Sequence, residues 1–159
     1  EFVVDPRNFN KIVTSTYQRR RHVWTLINGG PGSGIHRTDD GGETWRQISS
    51  GLPKDQMGRI GLAGAPSAPD IVYAIIEGHA EEQGVYRSTD FGNNWEKRSG
   101  HMSTSPQYYN ELVVDPLQPE RLLELARQPT AIGLGWAVGA LLMAWAAVHL
   151  SLGPARRTI

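Results

Sequence analysis

Short runs of apolar, β-branched and aromatic residues alternate along the chain with clusters of Gly, Pro, Asp and Asn, a pattern that predicts strands joined by turns. In a first unit the runs fall at residues 11–16, 22–28, 35–38 and 45–48, and in a second at 59–63, 71–76, 84–88 and 95–98. The first unit opens on an apolar pair stopped by a turn, Val3-Val4-Asp5-Pro6, and a third opens identically at Val113-Val114-Asp115-Pro116. The corresponding place in the second is Ala63-Gly64-Ala65-Pro66. The pattern then breaks. No Asp, Glu, Lys or Arg occurs from residue 128 to 155, and residues 130–152 read TAIGLGWAVGALLMAWAAVHLSL. At about 1.5 Å per residue this stretch is long enough to cross a hydrocarbon core of about 30 Å. It is expected to form a C-terminal hydrophobic helix that spans a membrane, because Ala and Leu dominate it and backbone groups in lipid must be satisfied internally. Residues 124–129 read as its linker and 153–159 as a short basic tail carrying Arg156 and Arg157. A buried helix and a misjoined, unrelated tail are the competing readings.

Within the two strand units one window returns fifty residues later, in register throughout: GIHRTDDGGETWRQI at 34–48 and GVYRSTDFGNNWEKR at 84–98. The shared positions are Thr38, Asp40, Gly42 and Trp45 in one copy and Ser88, Asp90, Gly92 and Trp95 in the other. The chemistry between the apolar flanks is that of a tight turn. The Asp carboxylate can accept backbone N–H groups, the Gly can take φ > 0 without steric cost, and the Thr or Ser hydroxyl can bond locally. The Trp, three residues past the Gly, brings a large apolar surface and an indole N–H that needs an acceptor. Each copy therefore predicts a β-hairpin pinned at its tip, with Trp45 and Trp95 buried at equivalent places.

The pattern (S/T)xDxGxxW resembles the Asp-box, or BNR repeat, found on blades of β-propellers in sialidases, sortilin-type receptors, xyloglucan hydrolases and a photosystem assembly factor. The surrounding words VWTLINGGPGSGIHRTDDGGETW, MGRIGLA and DIVYAIIEG are most similar to the sortilin N-terminal-domain type of propeller in bacterial proteins. The resemblance covers residues 1–123. It implies a mainly β fold of two to two-and-a-half antiparallel, four-stranded propeller blades with Asp-box hairpins: blade one at about 3–62, blade two at about 63–112 and the start of a third at 113–123. In that family the box is a structural hairpin far from the ligand site, so it identifies a fold and not a reaction. The first unit is ten residues longer than the second between its opening turn and its box, and the extra length is expected in loops at 18–22 and 29–32.

A propeller needs at least about four blades to close, so a chain of 159 residues holding two and the start of a third is expected to be a fragment or to complete its ring with a partner chain. Charge and cysteine content narrow the function. Sixteen basic and sixteen acidic side chains give a formal net charge of zero, which offers nucleic acid no attraction. The only basic run, Arg19-Arg20-Arg21-His22, reads as a solvated loop or strand rim, with an anion-binding patch as the other reading. No cysteine is present, so there is neither a disulfide frame nor a thiolate metal site, a departure from the cysteine-rich module of animal sortilin receptors. The run GGPGSG at 29–34 lacks the Lys and the strand-to-helix setting of a phosphate loop.

Candidate chemistry is sparse. Sialidase-like hydrolysis would need three arginines on a carboxylate, a Tyr–Glu nucleophile pair and an acid/base Asp; Tyr108, Tyr109 and Glu111 supply residue types without the arginine motif. Asp5 and Asp115, candidates for a paired-carboxylate hydrolase, sit in repeat turns, where a structural role is expected. His22, His36, His79, His101 and His149 are scattered without metal-ligand spacing. No cofactor is expected. In a propeller the first strand of each blade lines the central channel, which makes Arg59, Tyr109 and Glu111 the candidate binding residues for a peptide, protein or glycan. The expectation is a non-catalytic propeller segment of a membrane-anchored, extracytoplasmic protein, with a fragment of an Asp-box glycoside hydrolase of the sialidase or xyloglucan-hydrolase type as the alternative. Arg121 and Arg127 before the hydrophobic stretch balance Arg156 and Arg157 after it, so the orientation rests on the resemblance alone.

Overall fold

The computed structural model describes residues 1–124. The hydrophobic helix expected at 130–152 and the basic tail at 153–159 lie outside the described residues, as does the linker at 124–129 apart from its first residue. Among the described residues the chain is mainly β. In chain order the strands are β1 (Phe2–Asp5), β2 (Asn8–Thr16), β3 (Arg19–His22), β4 (Thr25–Asn28), β5 (Gly34–Thr38), β6 (Arg46–Ile48), β7 (Ile60–Gly64), β8 (Val72–Ile76), β9 (Gly84–Ser88), β10 (Glu96–Ser99), β11 (Leu112–Val114) and β12 (Leu122–Glu124). A single 3-10 turn, Ala80–Glu82, interrupts them. No helix among the described residues is long and apolar enough to cross a membrane.

Two four-stranded antiparallel sheets carry the architecture, one ordered β1-β2-β5-β6 and the other β7-β8-β9-β10. β11 and β12 form a third, two-stranded ladder. The sheets pack in series through their faces, and β8 shows why. Its sequence Val72-Tyr73-Ala74-Ile75-Ile76 has no polar position, and all five side chains are buried. Because side chains alternate across a strand, Val72, Ala74 and Ile76 join Val13, Ile35, Ile48 and Leu52 of the first unit in one core. Tyr73 and Ile75 point the other way and pack with Leu112 and Val114 of β11 in a second core. β8 is thus apolar on both sides because it is covered on both sides. Burying each such Val or Ile contributes roughly 1.5–3 kcal/mol.

The first unit differs from the expected series in one respect. Residues 22–28 do not form a strand of its sheet; they fold into a separate hairpin in which β3 pairs with β4, Arg19 opposite Asn28 and His22 opposite Thr25. The place expected for 22–28 is filled because β1 supplies the inner strand, pairing Val3 with Val13 and Val4 with Ile12. The hairpin accounts for the ten extra residues. Its ends stay close, with the Gly29 N–H donating to the Gln18 carbonyl at 2.9 Å. The expected unit boundary after residue 62 also shifts, since it falls inside β7, and the sheet-to-sheet connection runs instead between Ile48 and Ile60. The opening turns behave as local structure: Asp5 accepts the Arg7 N–H at 2.9 Å, and Asp115 accepts the N–H groups of Leu117 at 2.9 Å and Gln118 at 3.1 Å.

Candidate functional site

The repeated window folds the same way twice. β5 leads into one tip and β9 into the other, and at both the hydroxyl of the first motif residue donates to the carboxylate two residues on: Thr38 to Asp40 at 2.6 Å and Ser88 to Asp90 at 2.8 Å. The same hydroxyls accept the N–H of Gly42 at 3.0 Å and of Gly92 at 2.8 Å. Asp40 then accepts the Thr44 N–H at 3.0 Å, while Asp90 accepts those of Asn93 at 3.0 Å and Asn94 at 2.9 Å. The glycines are required where they stand, with φ of 99° at Gly42 and 82° at Gly92. These bonds hold both carboxylates ionised. Hydrogen bonds from Thr38 and Thr44 take Asp40 well below the usual carboxylate range. Burial pushes Asp90 up, but the amide and side chain of Asn94, with Ser88, outweigh it and leave it lowered. Both oxygens of each carboxylate accept hydrogen bonds from within the turn, so the tips are closed structural turns.

The two tryptophans part company. Both indole N–H groups donate to the carbonyl of the motif glycine, Trp45 to Gly42 at 3.0 Å and Trp95 to Gly92 at 3.1 Å. Yet Trp95 is 5% exposed and Trp45 is 45% exposed, so the expectation that both are buried holds only for Trp95. The cause is the neighbouring sheet. Trp95 lies under the end of the first unit, its backbone N–H donating to the Ser50 carbonyl at 3.1 Å, with Leu52 and Val13 in the same core. Among the described residues no sheet covers Trp45 in this way. The first unit also grips the second tip through Arg37, whose guanidinium donates to the carbonyls of Phe91 at 2.8 Å and Asp90 at 3.1 Å and sits 5.6 Å from the Phe91 ring.

The three residues singled out for binding meet in part. Arg59, just before β7, donates to Glu111 at 3.1 Å and to the carbonyl of Tyr108 at 3.2 Å, with the Glu1 carboxylate 3.6 Å away. Its charge is therefore matched, and it ties the start of the second sheet to the segment before β11. Tyr109 and Glu111 do not lie on the first strand of the third unit, where the binding expectation put them, because β11 begins only at Leu112. Tyr109 is half-exposed beside Tyr108, ring centroids 6.3 Å apart. Sequence reasoning missed the residues that surround this corner. Arg19 lies 5.6 Å from the Tyr108 ring and Arg21 donates to its hydroxyl at 2.9 Å. Glu77 accepts the Arg59 N–H at 2.9 Å and the Asn28 side chain. Burial, reinforced by Glu77, pushes the Tyr17 phenol up. The available signal was the basic run at 19–21, read as a rim without the aromatics that folding brings to it.

An open cavity of about 410 Å³ adjoins this corner, lined by Asn28, Asp55, Gln56, Glu77 and His79 among others. Its walls offer hydrogen-bond acceptors and an imidazole. Among the described residues no group of three or more His, Cys, Asp or Glu is placed to hold a metal ion. The chain matches no protein-family model, and no curated protein matches it significantly.

Proposed function

We propose that the chain is a non-catalytic segment of an Asp-box, sortilin-like β-propeller, anchored to a membrane through residues 130–152 with its β units on the extracytoplasmic side. In this reading the first and second sheets are blades and β11–β12 opens a third, and the remaining blades come from a longer protein or a partner chain. The role is structural or ligand-binding, toward a peptide, protein or glycan, with Arg59, Tyr109 and Glu111 at the inner edge. The observation that carries the reading is β8 of the second sheet, buried on both faces between a like sheet and the next ladder, a serial stacking that suits radially repeated units.

Arg59 is already paired with Glu111, which leaves neither free as the arginine or carboxylate of a sialidase-type site. The full chain is therefore expected to leave a fluorogenic sialoside and a soluble β-glucan unhydrolysed. Turnover that disappears in Glu111→Gln would replace this reading with the glycoside-hydrolase alternative. The anchoring arm is checked on membranes from cells expressing the chain with a reporter at Ile159: the chain should resist carbonate extraction with the reporter protected from external protease.

A further inference from the structure

The β3–β4 hairpin stands apart from both large sheets, and its composition is unusual for such a place. Two-residue hairpin tips favour Gly, Asn and Asp, which accept the turn's backbone angles. Here the tip is Val23-Trp24, a β-branched residue and the largest aromatic, 98% and 83% exposed. Neither packs on the body of the protein. Behind the tip, Arg19, Arg20, Arg21 and His22 are all exposed, and on the facing strand Leu26 and Ile27 are exposed as well. Among the described residues no carboxylate lies within salt-bridge distance of Arg19, Arg20 or Arg21.

The two faces of the hairpin do different things. Arg19 and Arg21, on one face, engage Tyr108, which braces the hairpin against the body. Arg20 and His22 occupy the other face, opposite Ile27 and Thr25, and the Trp24 ring stacks on His22 with centroids 6.0 Å apart and planes within 12°. The result is a braced arm with an apolar tip, an aromatic collar and unmatched positive charge just behind. At about 3.4 Å per residue, Arg20 lies about 10 Å behind Val23. An apolar element seated in a bilayer interface is buried by about 5–10 Å, so the Arg20 guanidinium would lie level with lipid phosphates while Trp24 takes the headgroup position that Trp favours. A soluble polyanion would use the arginines but leave Val23 and Trp24 in water.

We propose that the β3–β4 hairpin docks on an anionic lipid bilayer, inserting Val23 and Trp24 at the headgroup–acyl boundary with Arg20 on the lipid phosphates. This contact is separate from the hydrophobic stretch at 130–152 and stands whether or not that stretch spans a membrane.

The absence of cysteine makes a site-specific test direct. The full chain carrying Val23→Cys is labelled with an environment-sensitive fluorophore and mixed with vesicles of phosphatidylcholine containing one-third phosphatidylglycerol. The label should shift to the blue, weakly with pure phosphatidylcholine and reversibly on adding salt, and Arg20→Ser should weaken the response roughly five-fold. A label at Leu117→Cys, exposed but outside the hairpin, should not respond, which separates hairpin docking from partition by the rest of the chain. No shift at position 23 with anionic vesicles would overturn the proposal. So would an equal shift at 117, or an equal response at 23 to a sulfated glycan in free solution.

Discussion

Trp45 and Trp95 make the same indole bond within the same turn, so what separates them is only what lies on top. Truncation reads that difference directly. Trp95→Ala opens a hole in the core between the sheets and should cost about 3–5 kcal/mol. Trp45→Ala removes a half-open ring and should cost under about 1.5 kcal/mol; urea denaturation of the two variants gives both values, and equal losses would contradict the burial difference. Phe91 shows a related balance. It occupies the left-handed region at φ 54°, which costs a non-glycine residue about 1–2 kcal/mol. Its ring is buried beside Arg37, and that burial outweighs the strain. The equivalent residue of the first tip is Gly41, at φ 79°, where no such ring is needed.

At the scale of elements, the β3–β4 hairpin is an insertion rather than a support. Most of its side chains are exposed, and Gln18 and Gly29 already close the ladder beneath it. Replacing residues 19–28 with an Asn-Gly turn should therefore leave both large sheets intact and lower stability by less than about 2 kcal/mol; loss of cooperative unfolding would show that the arm holds the sheets together. The same hairpin marks where the sequence stopped being legible. The strands at 71–76 and 84–88 and the turn chemistry of both motif tips could be read locally, because alternation and turn residues act over a few positions. The run from His22 to Asn28 misled, since an apolar stretch with no Gly, Pro, Asn or Asp at Val23-Trp24 carries no sign of a turn. Trp45 misled for another reason: burial of a tip tryptophan depends on a neighbouring sheet, which no local pattern contains. The pairing of Arg59 with Glu111 joined residues already under suspicion, but its bracing by Tyr108 and Glu77 depends on tertiary contacts far apart in the chain.

Over the described molecule as a whole, charge links the stacked sheets at several points. Arg7 donates to Asp5 at 2.9 Å and reaches Asp70, on the turn before β8, at 2.5 Å. Its hydrogen bonds lower the pKa of both carboxylates, and Arg37 lowers that of Asp39. Asp40 and Asp90 are lowered by their turns. A carboxylate whose folded pKa is depressed contributes stability that is fully present above its unfolded value, about 3.9 for Asp, and is lost as pH falls through the folded value. These groups should therefore leave stability unchanged between about pH 5 and 7 and withdraw it progressively below about pH 4. Urea midpoints across that range provide the check. Arg7→Gln should flatten the acid limb, and a midpoint as high at pH 2.5 as at pH 6 would contradict the assignment. The strand orders carry a further consequence, for how the chain assembles. Each large sheet joins strands in their order along the chain, with only the β3–β4 arm looping out, so its contacts are local and their loop-closure cost is small. The first sheet can close as soon as β6 has left the ribosome, before β7 has emerged. For that interval Val13, Ile35 and Ile48 stand open to water, a face that guides the second sheet into place and also exposes the nascent chain to aggregation.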